Sequence, residues 1–331
     1  MILAGDIGGT KAEFALYRDA SHGLEKKWGQ RYSCAQFSSV ECLIQHLKND
    51  LSLAGFDSFS IGKAAFAVAG PVENNRCHTT NLPWFVEGDT LARQLQLEHI
   101  SVLNDVEASA LCMPYLSAER FFALTPWQQH RQHQTIAVIS PGTGLGQAAL
   151  FWDGERYHAQ ASEGGHKDFA AKSALEFALY QYAEAQFPGH VSWERILGGD
   201  GFSLIYDFLS QYYNTKDSPG IMEGLRSGDK NAHITHLALT QQSDLCQRTL
   251  ELYVSLLAAE TANIALQYMA LSGVILSGGI PPKIISALRS EMFITAYLNK
   301  GRYRKMLEHI PVQVCLEKNS ALLGAAYFAA R

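Results

Sequence analysis

Along this chain, short apolar runs repeatedly break off at glycine. Ile2-Leu3-Ala4 reads as a strand that enters the turn Gly5-Asp6-Ile7-Gly8-Gly9-Thr10-Lys11. Ala12-Glu13-Phe14-Ala15-Leu16-Tyr17 leads out of it as a second strand, with alternating polarity at its start. The pattern returns further on: Ile136-Ala137-Val138-Ile139 enters Ser140-Pro141-Gly142-Thr143-Gly144-Leu145-Gly146, and Ala148-Ala149-Leu150-Phe151 leads out. Two strand–glycine turn–strand units, each heading one half of the chain, predict two related α/β domains facing one another. A repeat this long is not a solenoid unit, whose period is about 20–50 residues.

Helical and extended patterns alternate between the two turns. Val40 to Leu53 carries helical spacing, and Ala64 to Val68 is a buried strand ending at Ala69-Gly70-Pro71. Gly88 to Leu97 is helical again, and Ile100 to Leu103 is a strand ending at Asn104-Asp105. The stretch from Ala123 to Gln134, with Trp127 and a polar His/Gln/Arg run, reads as a linker or surface loop rather than a metal site. The second half is mostly helical. From about Ser243 to Met269, Cys246, Leu250, Tyr253, Leu257, Thr261, Ile264 and Tyr268 recur at three- and four-residue spacing, as a core-facing stripe does. That helix runs into Val274-Ile275-Leu276-Ser277-Gly278-Gly279-Ile280, a third strand-to-glycine turn, with Pro281 and Pro282 placed to open the next helix. A last strand, Val312-Gln313-Val314, precedes a helix from about Ser320 to Ala330, expected to pack back on the first domain.

The totals narrow the possibilities. At 331 residues the chain exceeds one ordinary core and suggests two domains, and its 47% hydrophobic and 18% charged residues suit a soluble globular protein. A net charge of −5 leaves no basic excess to neutralise a phosphate backbone, which argues against nucleic acid as the main partner. A phosphate ligand would therefore need local devices, such as backbone N–H groups and Mg²⁺. The six cysteines show neither C-x-x-C pairs nor metal-ligand spacing and read as reduced thiols. The first residues carry no leading Lys or Arg, and no apolar run approaches the ~20 residues of a membrane helix. A cytoplasmic setting away from the membrane is expected.

The glycine turns carry the chemistry. Closely spaced glycines let backbone N–H groups approach an anion without Cβ obstruction, and Thr10 and Lys11 add a hydroxyl and a charge for phosphate oxygens. Asp6, at the end of the first strand, suits Mg²⁺ held through water. A plain glycine-rich hairpin is the bland alternative. There is no Walker A loop and no G-x-G-x-x-G after the first strand, so a phosphate site here is neither of the P-loop nor of the Rossmann kind. Gly142-Thr143-Gly144-Leu145-Gly146 offers the same physics from the second half.

The order of Gly5-Asp6-Ile7-Gly8-Gly9-Thr10, Pro141-Gly142-Thr143-Gly144-Leu145-Gly146 and Ser277-Gly278-Gly279-Ile280 resembles the actin-like ATPase (ribonuclease H-like) sugar-kinase fold. In that fold the first two turns grip ATP phosphates and the third lies beside the nucleoside. Within it the chain resembles the bacterial glucokinase family from Gly5 to about Tyr327. The pieces that carry the likeness are Ala69-Gly70-Pro71, Thr80-Asn81-Leu82-Pro83-Trp84, Leu103-Asn104-Asp105, Glu163-Gly164-Gly165-His166, Val191-Ser192-Trp193-Glu194-Arg195 and Lys300-Gly301-Arg302.

The resemblance implies ATP-dependent phosphorylation of glucose to glucose 6-phosphate by a two-domain α/β protein with an interdomain cleft. Its smaller domain would comprise residues 1–112 plus 318–331, and its larger one 113–317. ATP and Mg²⁺ would lie in the cleft with the sugar below them. Asp105 would be the general base for the 6-hydroxyl, and Asn81, Asn104, Asp105, Glu163, His166 and Glu194 would bind the sugar. Asp6, Gly8, Gly9, Thr10, Lys11, Gly142, Thr143, Gly144, Gly278 and Gly279 would bind ATP, with Asp6 serving the metal. A homodimer follows from the family alone. The chemistry agrees: carboxylates and amides fix ring hydroxyls in pairs, and a carboxylate beside a helix N-terminus stays ionised and orients a hydroxyl for in-line attack.

Other readings stand beside these. Asn104-Asp105 before a helix is also an N-cap pattern, His166 a turn histidine, and Glu194 a first-turn carboxylate after the cap Ser192. Lys11 and Glu13 stand where the family often has Asn and Arg. Leu197-Gly198-Gly199-Asp200-Gly201-Phe202 and Ser140-Pro141 also depart from its usual pattern. A kinase for another hexose, a zinc-bearing sugar kinase of the ROK type and a catalytically silent sugar-binding regulator are the rivals. No cysteine between Cys112 and Cys246 speaks for the ROK motif, and a phosphate turn starting at residue 5 leaves no preceding DNA-binding domain. Hexose and phosphoryl donor, whether ATP, ADP or polyphosphate, stay open at this stage.

Overall fold

A computed structural model of the chain describes residues 1–20, 23–56, 60–80, 82–127, 132–226 and 228–331. The chain divides into two compact units. Residues 1–116, 155–161 and 319–331 make the first, and residues 117–154 and 162–318 the second.

The sheet of the first unit runs, edge to edge, Gly23–Ser33, Lys11–Ala20, Ile2–Ile7, Lys63–Val68 and Ser101–Asn104. The Ile2–Ile7 strand pairs antiparallel with Lys11–Ala20 and parallel with Lys63–Val68, which pairs parallel with Ser101–Asn104. The first strand outlasts the three residues its apolar run predicts. Gly5 and Asp6 stay in the ladder opposite Phe14 and Glu13, so the turn shrinks to Gly8, Gly9 and Thr10. Gly5 is a packing glycine: a Cβ there would lie 2.7 Å from the Phe14 ring and 2.8 Å from that of Phe66.

Helix Val40–Leu53 has the limits its spacing predicts. Ser39 caps it by accepting the Cys42 N–H, and Val40, Leu43, Ile44, Leu47 and Leu51 face the core. Each such buried side chain contributes roughly 1.5–3 kcal/mol. Helix Gly88–Leu95 stops short of the expected Leu97, because Gln96 turns left-handed at φ 58° and donates its N–H back to the last turn. The closing helix Ser320–Ala330 packs on helix Asp105–Cys112 within this unit. Gly324 allows that approach, since a Cβ there would lie 1.6 Å from the Ala108 carbonyl oxygen.

The second unit repeats the plan. Leu145–Trp152 pairs antiparallel with Ile136–Pro141, which pairs parallel with Gly273–Leu276, and that strand parallel with Val312–Cys315. Phe121–Ala123 adds an antiparallel edge on Val312–Cys315. The expected surface loop from Ala123 is therefore anchored at its start, and Trp127 Nε1 donates to the Ile310 carbonyl at 2.8 Å. Residues 128–131 of that run lie outside the described residues. The long helix Asp244–Gln267 buries Cys246, Leu250, Tyr253, Leu257, Thr261 and Ile264 as its stripe predicts, while Tyr268 ends it as the C-cap. Pro281 and Pro282 open a short 3-10 helix, Pro281–Ile284, before the α-turn Ile285–Leu288.

Candidate active site

In the first unit, three parallel strands end side by side, and ligands of α/β sheets gather at such carboxyl edges. Asp6 comes from the end of Ile2–Ile7, and Asn104 from the end of Ser101–Asn104, with Asp105 opening the helix that follows. Burial, and next the negative charge of Asp105, push the Asp6 carboxyl up to about 7. Two carboxylates within electrostatic reach of one another are a poor arrangement for an empty protein interior and a good one for a hard cation. Among the described residues no three His, Cys, Asp or Glu side chains converge on a metal position.

The turn beside Asp6 is closed by Gly8 N–H donating to Lys11 O at 3.0 Å, with Thr10 O accepting the Cys34 N–H at 3.0 Å. Gly9 completes the turn, and Thr10 and Lys11 are exposed. Glu13 does not leave a bare negative charge beside a phosphate turn. Its carboxylate is 2.7 Å from Arg31 and 3.7 Å from Lys26.

Asn104, not Asp105, is the helix cap. Its Oδ1 accepts the N–H groups of Val106 at 3.0 Å and Glu107 at 3.1 Å, and its Nδ2 donates to the Gly70 carbonyl at 3.0 Å. Asp105 is the first helical residue, its Oδ1 accepting the Val106 N–H at 2.9 Å. The capping pattern seen in the sequence is real, and Asn104 supplies it. Gly70 in turn needs to be glycine, with φ at +143° and the His78 carbonyl where a Cβ would go. Asn81 lies outside the described residues.

In the second unit, the turn Gly142-Thr143-Gly144 joins the antiparallel pair Ile136–Pro141 and Leu145–Trp152. Gly142 N–H donates to Gly144 O at 2.9 Å, and Gly199 N–H donates to Thr143 O at 2.9 Å. Gly278, at φ +81°, lies so close that a Cβ would be 2.6 Å from the Pro141 carbonyl. The second and third glycine turns, Gly279 included, thus form one wall. The segment around Gly199, read as a departure from the family pattern, packs directly on it.

Glu163, His166 and Glu194 come together beside this wall. His166 Nε2 is 3.8 Å from Glu163 Oε2 and 3.6 Å from Glu194 Oε1. Ser192 does cap helix Trp193–Leu197, yet Glu194 in its first turn is more than a helix carboxylate, because its Oε2 accepts the Leu145 N–H at 2.9 Å. Gly144 is small for that reason: a Cβ there would lie 2.6 Å from Glu194 Oε2. Gly164 and Gly165 fold under Leu145–Trp152, where Cβ atoms would strike Gln147 and the Leu145 carbonyl. The side chains of Glu163 and His166 are more than half exposed, at 61% and 54%, and so can meet a ligand.

A cavity of about 550 Å³ opens on the same wall, lined by Gly142, Thr143, Gly279, Phe202, Asn231 and Lys283 among others. Its far side is helix Lys230–Leu239 and the preceding Asp229. The mix of apolar surface with a few amide, hydroxyl and charged groups suits a nucleoside-sized ligand.

Residues 3–331 match the family model described as glucokinase. The chain belongs to the glucokinase family. A curated glucokinase of Synechocystis sp. is 34% identical over 99% of this chain and 98% of its own. The crystal structure of a glucokinase from an Antarctic psychrotroph is similar with a TM-score of 0.84 and 29% identity, covering 99% of this chain and 98% of that one. A ROK-family glucokinase from Streptomyces griseus, solved with glucose and AMPPNP, shares the fold at a TM-score of 0.67 and 19% identity, with 99% of each chain covered. For a glucokinase-family chain, the sequence motifs locate the glycine turns and the Glu163, His166 and Glu194 cluster. They do not point to the cavity side chains Asp229, Asn231, Thr235 and His236, on helix Lys230–Leu239 and its cap, which no motif in the sequence marks.

Proposed function

We propose that this glucokinase-family chain transfers the γ-phosphoryl group of ATP to the 6-hydroxyl of glucose, with Asp105 as general base. The observation that supports the reading is the place of Asp105: it opens the helix that Asn104 caps, its Oδ1 accepts the Val106 N–H, and its charge reaches Asp6 at the carboxyl edge of the sheet. Helix-dipole charge at this first-turn position favours a carboxylate able to accept a proton from a hydroxyl.

Glu163, His166 and Glu194 hold the ring hydroxyls, the carboxylates accepting and the imidazole donating or accepting in turn. Asn104 would add its amide to the same task. The backbone N–H groups around Gly8–Lys11 and Gly142–Gly144 cradle the ATP phosphates, and the 550 Å³ cavity takes the nucleoside. Asp6 would hold Mg²⁺, which when bound neutralises charge developing on the β- and γ-phosphate oxygens. Positioning and electrostatics supply most of the rate in such a reaction.

Incubation of the purified protein with hexoses and donors, followed by NMR of the product, tests this reading. Glucose 6-phosphate formed from glucose and MgATP is the expected result. A folded protein that yields none with ATP, ADP or polyphosphate contradicts it. A cytoplasmic homodimer completes the proposal, and light scattering tests its stoichiometry.

A further inference from the structure

Behind the Glu163, His166 and Glu194 cluster, a carboxylate is buried in the core of the second unit. Glu260, on helix Asp244–Gln267, is wholly inaccessible to solvent. Isolated, such a charge would be costly. Its Oε1 accepts Gln147 Nε2 at 2.7 Å and faces Lys167 Nζ at 3.2 Å, while its Oε2 accepts Asn263 Nδ2 at 2.8 Å. Asn263 in turn accepts from Lys300 Nζ, and Lys167 Nζ also donates to Gln267 Oε1 at 2.9 Å. Lys300 belongs to the Lys300-Gly301-Arg302 motif, which the proposed reaction leaves without a role.

Two limbs of this network, Lys167 and Gln147, end on the sugar cluster. Lys167 follows His166 directly, and its N–H donates to the Gly164 carbonyl at 3.2 Å. The Lys167 carbonyl accepts the Trp193 N–H at 3.0 Å, one residue before Glu194. Gln147 lies against Gly164, where a Cβ would be 2.3 Å from its Oε1. A shift of Lys167 would therefore move both backbone segments that carry the three side chains.

We infer that Glu260 is a positioning residue for sugar binding, acting through Lys167 and Gln147 on the Glu163–His166 loop and on the start of the Glu194 helix. This rests on the reading of Glu163, His166 and Glu194 as the sugar-holding set. Replacing a buried ion pair with apolar residues of similar volume is often neutral or stabilising, so stability alone gives weak reason for a charge at this position.

Steady-state kinetics on four variants test it. Glu260→Gln keeps the volume and removes the charge, and the double variant Glu260→Gln/Lys167→Met removes both charges of the direct ion pair, so that Lys167 is not left facing a neutral amide. Both should raise the glucose KM about fivefold or more, the equivalent of one hydrogen bond, with kcat and the ATP KM within about twofold. Lys167→Arg, which keeps the cation, should stay near wild type in all three. Glu163→Gln is the control for the underlying reading. If it raises the glucose KM while both Glu260 variants lower only the thermal midpoint, Glu260 is merely structural and the inference is overturned. If Glu163→Gln leaves the glucose KM unchanged, the sugar-site reading falls and takes the inference with it. Should Glu260→Gln fail to fold, the double variant decides.

Discussion

Glu194 accepts the backbone N–H of Leu145 at 2.9 Å through one carboxylate oxygen and faces His166 with the other. One side chain therefore links the second glycine turn, assigned to ATP phosphate, to the cluster assigned to the sugar. That dual attachment separates two kinds of substitution at this position.

Glu194→Gln can still accept the Leu145 N–H, so the turn should keep its shape while the charge facing the sugar is lost. Charge-assisted hydrogen bonds contribute about 1.5–3 kcal/mol, which predicts a rise in glucose KM of roughly tenfold or more with a smaller change for ATP. Glu194→Ala loses both attachments and should raise both KM values. Equal effects of Glu194→Gln on the two substrates would contradict the assignment.

Asn104→Ala removes a cap that serves two N–H groups and the tie to Gly70. Loss of such a cap costs about 1 kcal/mol, so the thermal midpoint should fall by a few degrees. An unchanged midpoint in calorimetry would show that the helix does not depend on this residue.

Much of this was legible in the sequence where the determinants are local. The apolar stripe of Asp244–Gln267 and the Ser39-capped stripe of Val40–Leu53 each follow from spacing within one element. Gly5 was misread as a turn residue because its reason is distant: Phe66, on a strand far along the chain, presses on it with Phe14. Strand Gly23–Ser33 escaped notice because it is an exposed edge whose Glu25, Lys26, Lys27 and Arg31 mask any alternation, as charged edges do. The Asn104-Asp105 pattern announced a cap without saying which residue makes it; only the two hydrogen bonds to Asn104 decide. The cavity residues from Asp229 to His236 acquire meaning only when tertiary packing brings their helix to the glycine turns.

Asp6 makes a pH prediction. Its folded-state carboxyl is raised from 3.8 to about 7, by burial first and the Asp105 charge second. Between those values the unfolded chain loses the proton and the folded one keeps it, so Asp6 costs stability progressively as pH rises through this window, about 1.4 kcal/mol per unit at most, and no more above it. Without divalent cation, Asp6→Asn should thus gain thermal stability over wild type from pH 4 towards 7. Mg²⁺ with nucleotide should narrow that gap by favouring ionised Asp6, and the variant should lose activity most at low magnesium. A stability difference independent of pH would contradict the buried, proton-holding Asp6.

Ala232 is an exposed helix position on the lip of the 550 Å³ cavity. Ala232→Trp should obstruct the cavity and raise the ATP KM about tenfold, a loss of roughly 1.4 kcal/mol, with glucose affinity unaltered. An unchanged ATP KM would place the nucleoside elsewhere.

The central claim is that Asp105 takes the proton from the sugar hydroxyl, and Asp105→Asn tests it most directly. The substitution keeps size and hydrogen-bonding capacity, and Asn104 continues to cap the helix. Turnover and glucose affinity should be measured together on the variant, with the thermal midpoint as the folding control. General-base removal costs about 10²–10⁴-fold, so kcat should fall by that order while glucose Kd and the midpoint scarcely move. Near wild-type kcat in the folded variant would contradict the account.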